Sequence, residues 1–215
     1  MGNRKSASMV LLLAATLFGC QGHRPDSPGA KLRVAVSIAP QVWLVEQIGG
    51  EHVEATAIVK PGESHETYQP TDAKIAQVMN GAALFRIGIP FENGRAFLGM
   101  IAHGELRVVD TREGIDLREM GPLERGGDSS HAGHSHADEP HGHAHHDHEG
   151  KDPHVWLSPR LLKAQARTIA ETLGEIDPAH RADYERNLAS LTQKLDAADG
   201  EIRRTLAPQD RKSVV

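Results

Sequence analysis

Only one cysteine, Cys20, stands among the 215 residues. That scarcity excludes an intramolecular disulfide and any zinc site built from several thiolates. Basic charge is also short: 24 Lys and Arg face 29 Asp and Glu, a net charge of −5. With no basic patch in the pattern, nucleic acid is excluded as a partner. A membrane-spanning run is missing too. The apolar stretch from Met9 to Phe18 is ten residues, whereas a bilayer core of roughly 30 Å needs about 20. Preceded by Arg4 and Lys5, that stretch has instead the form of an export signal. The 39% hydrophobic content suits one substantial soluble domain or two small ones.

Histidine is what the chain has in excess. Eight of its fourteen histidines, His131, His134, His136, His141, His143, His145, His146 and His148, fall within Ser130 to His148. That segment carries no aliphatic side chain larger than Ala, so it cannot offset its ordering entropy by burial and is expected to be a solvated, disordered loop. Its imidazoles are then available to zinc, copper or nickel. Asp138, Glu139, Asp147 and Glu149 add oxygen donors. A purification tag is the plain alternative, but tags are usually terminal and uniform, whereas this tract is internal and mixed.

Cys20 closes the string Leu17-Phe18-Gly19-Cys20, which resembles the lipobox of bacterial lipoproteins, with Phe18 a less usual residue at its place. Cys20 would then be the lipidated first residue, and acyl burial at about 0.8 kcal/mol per CH₂ would hold the chain on a membrane without a spanning helix. The alternative is a buried thiol without a role. Gln21 to Ala30, with Gly22, Pro25, Pro28 and Gly29, reads as the tether.

From Leu32 onward strands and helices alternate. Leu32, Val34, Val36 and Ile38 repeat with the period of a strand, Pro40 to Ile48 suits a helix stopped by Gly49-Gly50, and His52 to Val59 is a second strand. A helix capped by Thr71 follows, then strands over Ala83 to Ile87 and Leu106 to Val109 separated by a helix from Phe91 to Ala102. Ser158-Pro159 opens a helix through about Leu173. Asp177-Pro178 opens another in which Tyr184, Leu188, Leu191, Leu195, Ala198 and Ile202 recur at steps of three and four. The expected fold class is α/β: an N-terminal parallel-sheet lobe with flanking helices plus a long linking helix. Pro208 breaks that helix, and Lys212 to Val215 reads as a strand being entered, which predicts a C-terminally truncated chain with a second α/β lobe largely missing.

Two histidines outside the tract lie in proline-held loops. His65 sits in Pro61-Gly62-Glu63-Ser64-His65-Glu66-Thr67-Tyr68-Gln69-Pro70, just past a strand's carboxyl end, where open α/β sheets place ligands. His154 sits in Asp152-Pro153-His154-Val155-Trp156-Leu157-Ser158-Pro159. Taken singly, each is as compatible with a surface histidine as with a ligand. Together with the lipobox, Phe85-Arg86-Ile87-Gly88-Ile89-Pro90-Phe91-Glu92, Val109 to Ile115, the His-rich loop and the long helix, these segments resemble the zinc- and manganese-binding lipoproteins of metal ABC importers. These are the cluster A-I solute-binding proteins, here of the zinc-uptake type, and the resemblance runs from Leu32 to the end.

That resemblance implies a protein that captures a divalent metal outside the cytoplasmic membrane and delivers it to an ABC permease with a cytoplasmic ATPase, catalysing no reaction. It implies an exported, periplasmic or cell-surface, lipid-anchored monomer. His65 and His154 fall on the family's first two metal ligands; the remaining ligands, a third histidine and usually a carboxylate, would lie beyond Val215. The transported ion is expected to be zinc, with manganese as the alternative, because imidazole suits zinc and manganese favours oxygen. Tyr68 is expected to pack or to support a ligand. Glu92 reads first as a solvated or helix-capping carboxylate and second as a residue beside the site. Trp43 and Trp156 read as packing aromatics. The implied organisation is a signal peptide over 1–19, a tether over 20–31, the lobe over 32–125 and 152–176, the His-rich loop over 126–151, the linking helix over 177–207, and the start of the next lobe over 208–215.

Two rivals remain. His143-x-His145-x-Asp147-His148 matches the string of metallo-β-lactamase-like zinc hydrolases, although no apolar strand precedes it and histidine density alone generates such strings. A surface metal-buffering or adhesion lipoprotein that never meets a permease is the other.

Overall fold

The computed structural model describes residues 30–102, 106–119 and 151–207. The signal, Cys20, the His-rich tract and the strand expected after Pro208 all lie outside those residues.

Four strands, β1 (Leu32–Ile38), β2 (Val53–Val59), β3 (Ala83–Arg86) and β4 (Arg107–Asp110), form one sheet in the order β2-β1-β3-β4 with every pairing parallel. A parallel sheet is covered on both faces, so its central strands are apolar almost throughout. In β1 only Arg33 is exposed. Leu32, Val34, Val36, Ala83 and Phe85 turn to one face, under α1 (Ala39–Gly49), α4 (Pro159–Ile176) and α5 (Arg181–Leu206). Ala35 and Leu84 turn to the other, toward Ile75 and Val78 of α2 (Asp72–Met79) and Phe97 of α3 (Arg95–Ala102).

The local signals act largely where the pattern puts them. Thr71 Oγ1 accepts the Lys74 backbone N–H at 3.3 Å at the start of α2. Pro159 is the first residue of α4, but Ser158 makes no side-chain cap there, and the helix runs past Leu173 to Ile176. α5 covers 26 residues, about 39 Å at 1.5 Å per residue. It starts at Arg181 rather than at Pro178, which opens a 3-10 turn over Pro178–His180. His52 likewise closes a 3-10 turn instead of beginning β2.

Three expectations are corrected. The single helix expected over Phe91 to Ala102 is a 3-10 turn over Pro90–Asn93, an extended Gly94 with ψ 135°, and then α3. Trp43 does not pack: 46% of it is exposed on α1, because the buried face of that helix is made by Leu44, Val45 and Ile48. Lys151, assigned to the His-rich loop, pairs with Glu119 in an antiparallel bridge and closes the base of that excursion.

The α4–α5 corner is tied by polar groups. Fully buried Tyr184 donates its phenol proton to Asp177 Oδ2 at 2.5 Å, and His180 Nδ1 lies 2.7 Å from the same oxygen. Burial, and then the Asp177 bond, push the phenol well above the ordinary tyrosine range. Tyr184→Phe is expected to destabilise the fold by about 1.5–3 kcal/mol, the range for hydrogen bonds to charged groups. Since the folded-state value is raised, this contribution is whole below about pH 10 and is lost as the pH rises further. Urea unfolding of both forms at neutral pH and above pH 10 checks the loss and its shrinkage.

Candidate metal centre

The loop after β2 is set by its own turn. Lys60 carbonyl accepts the Glu63 N–H at 3.1 Å, Glu63 Oε2 accepts the Lys60 N–H at 2.7 Å, and Gly62 takes a φ of +88° that side chains disfavour. Beyond that turn the chain brings in His65. From the far side of the sequence, the strand-like base at Arg118–Glu119 and Lys151–Asp152 delivers His154 immediately before the 3-10 turn Val155–Leu157, whose Val155 is buried in the core beneath.

These two loops converge. The imidazole rings of His65 and His154 lie 5.5 Å apart, centre to centre, at 87°. The Trp156 indole stands against both, 5.4 Å and 89° from His65 and 5.0 Å and 56° from His154. His65 Nε2 is shielded from solvent, while the His154 side chain is 36% exposed. Both residues are half-buried, and the His65 ring turns its Nε2 inward.

Asp152 holds His154 by two bonds to a single oxygen. Oδ1 accepts the His154 backbone N–H at 3.0 Å and lies 2.7 Å from ring Nδ1. Oδ2 accepts from Arg118 Nη2 at 2.7 Å, and the Asp152 N–H donates to the Arg118 carbonyl at 2.8 Å. The His154 backbone N–H, with the Arg118 guanidinium and the imidazole behind it, brings the Asp152 carboxyl down to about 2 against the upward pull of burial. Asp152 is an anion at any physiological pH.

Of the two supporting residues, Tyr68 packs as expected, whereas Glu92 departs from its expected place. Tyr68 packs edge-on against Phe91 at 5.7 Å, and its burial, reinforced by the charge of Glu63, raises its phenol pKa, which disfavours a metal-binding phenolate. Glu92 is neither solvated nor a helix cap. Its carboxylate is fully buried, with Oε1 accepting the Ile87 N–H at 3.0 Å and Oε2 accepting the Gly88 N–H at 2.8 Å and Arg86 Nε at 3.0 Å. Both oxygens are thus committed to holding the turn after β3.

Sequence reasoning gave Asp152 no role, and it read Trp156 as a packing aromatic, which it is, against the core and both imidazoles. An Asp two residues before a histidine, with proline between, is a signal for a side chain that turns back onto the following backbone. A second histidine pair, His52 stacked on His180 at 3.8 Å and 16°, lies at the amino end of β2, away from His65. Its rings are bonded to Asp183 and Asp177 and their faces are pressed together, so it is a structural contact. Among the described residues no three His, Cys, Asp or Glu side chains converge.

Residues 34–215 match the family described as zinc-uptake complex component A, periplasmic. The metal ABC transporter substrate-binding lipoprotein SsaB of Streptococcus sanguinis is 25% identical over 97% of this chain and 63% of its own length. The manganese ABC transporter substrate-binding lipoprotein PsaA of Streptococcus pneumoniae is 25% identical over 99% of this chain and 65% of its own. The chain thus spans a little under two thirds of the curated relatives it matches. Among solved structures, a 138–173 deletion mutant of ZnuA with zinc bound superposes with a TM-score of 0.66 at 30% identity, covering 83% of this chain and 59% of that one.

Proposed function

This chain belongs to the family of the periplasmic zinc-uptake complex component A, and from that premise we propose that it captures zinc as cargo outside the cytoplasmic membrane and hands it to the permease of an ABC importer. The observation that carries this reading is the meeting of His65 and His154 across two loops at the carboxyl edge of the sheet.

The two imidazoles suit zinc, and their spacing is compatible with a shared ion. With a zinc–nitrogen distance of about 2.0–2.1 Å and tetrahedral angles, two imidazoles on one ion have their centres about 5 Å apart. The observed separation is 5.5 Å. Manganese, for which one relative is named, prefers an oxygen-rich shell. Two imidazoles supply half of a tetrahedral shell, and the remaining positions fall to water or to groups outside the described residues.

The family is one of binding proteins rather than enzymes, so the hydrolase-like string in the tract reflects histidine density. The tract, which lies outside the described residues, is assigned to collecting several weakly held ions through its many imidazoles. Among the described residues no helix is long and apolar enough to cross a membrane; attachment is assigned to acylation of Cys20.

Trp156 reports on the site. In a Trp43→Phe variant it is the sole tryptophan, since the chain has two. Zinc titration is expected to give a saturable change in its emission that tracks competition against a chelating dye. A Trp156 response only at zinc concentrations well above about 1 µM, equivalent to binding weaker than about −8 kcal/mol, would overturn the proposal.

A further inference from the structure

We propose that Asp152 is a positioning residue: it locks His154 in the tautomer and ring orientation that present Nε2 to the ion, and Arg118 holds the carboxylate in place for that task. The inference rests on the reading that His154 binds metal, and it adds the residue that prepares it. A neutral imidazole carries one ring proton, and which nitrogen bears it is decided by the partner of the other. Asp152 Oδ1, an acceptor only, stands 2.7 Å from Nδ1. The proton therefore belongs on Nδ1, and the lone pair is left on Nε2.

Orientation is fixed by the same oxygen. Because Oδ1 also accepts the His154 backbone N–H at 3.0 Å, main chain and ring are referenced to one point, which removes freedom from both side-chain torsions. The carboxylate is itself anchored. Its second oxygen takes the Arg118 guanidinium, and the Asp152 N–H is spent on the Arg118 carbonyl. Trp156 packs against one side of the ring and restricts its plane, while the choice between the two flips of that plane falls to the Asp152 bond. A histidine prepared in this way loses little entropy when the ion arrives, and removing such support typically lowers metal affinity 10–100-fold.

Asp152→Leu tests the idea, because a side chain of similar size leaves the ring no acceptor, whereas the amide oxygen of Asp152→Asn can still accept from both the backbone and the ring N–H. In metal-free protein at about pH 8, above the ordinary imidazole range near 6.5, ring ¹⁵N spectra should place the His154 proton on Nδ1. The His154 signals are identified by difference against His154→Ala. In Asp152→Leu a substantial Nε2–H population should appear, and zinc affinity should fall by about 10–100-fold. Arg118→Gln should move both readouts in the same direction by less. Retention of the Nδ1–H tautomer in Asp152→Leu overturns the proposal, as does unchanged zinc affinity in that variant while His154→Ala loses it. If instead the tautomer changes and His154→Ala itself binds zinc normally, the metal-ligand reading fails and the positioning role falls with it.

Discussion

Truncating either imidazole, by His65→Ala or His154→Ala, is expected to weaken the tightest zinc binding by at least tenfold, about 1.4 kcal/mol, while the fold stays intact. Both side chains sit in loops and neither belongs to the apolar core, so their removal opens no cavity among the packed helices. The cost falls on the ion, which loses one of two prearranged nitrogens and must recruit water in its place. The double variant should lose less than the sum of the two singles, because the second imidazole, once alone, holds the ion as an isolated surface histidine would. Dye competition is the measurement. It is best made in a background lacking Ser129 to Glu149, so that the tract does not mask the site. Unchanged affinity in both single variants would exclude these residues as ligands.

For Glu92→Ala the expected result is a fall in folding stability of about 3–5 kcal/mol, the usual consequence of removing one partner from a buried ion pair. Three donors lose their acceptor at once: the Ile87 and Gly88 N–H groups and the Arg86 guanidinium, whose remaining described partner is Asn93 Oδ1 at 3.1 Å. The turn has little room to adapt. Gly88 holds a φ of +80°, a backbone conformation that side chains disfavour. Against a typical total of about 5–15 kcal/mol, such a loss leaves a marginal protein. Glu92→Gln, which keeps the shape and one acceptor, should cost less. Urea unfolding of the three forms decides the matter, and a change under about 1 kcal/mol in Glu92→Ala is incompatible with a buried pair of this kind.

What the sequence determined by itself was whatever has a period or a local chemical stop. The strand at Leu32–Ile38, the Thr71 cap, Pro159 at a helix start and the three-and-four spacing from Tyr184 to Leu195 each act within a few residues and appear in the structure. Both faces of β1 are buried, however, and Ile38 packs with Ala35 rather than with Leu32, Val34 and Val36. The α/β class and the family resemblance follow from those local signals and from ordered motifs. Strand order, the meeting of His65 with His154 and the burial of Glu92 were decided by the tertiary structure alone. Loops carry no repeating pattern, so a histidine in one looks the same whether it faces water or another imidazole. Glu92 shows the same limit from the opposite side: a carboxylate after a strand reads as solvated until the fold turns two backbone N–H groups and an arginine onto it. Trp43 and Trp156 make the contrast within one residue type, since their local sequences are equally apolar. Only the packing of α1 beside α4 and α5 leaves one indole in solvent, and only the closure of two distant loops sets the other between two histidines.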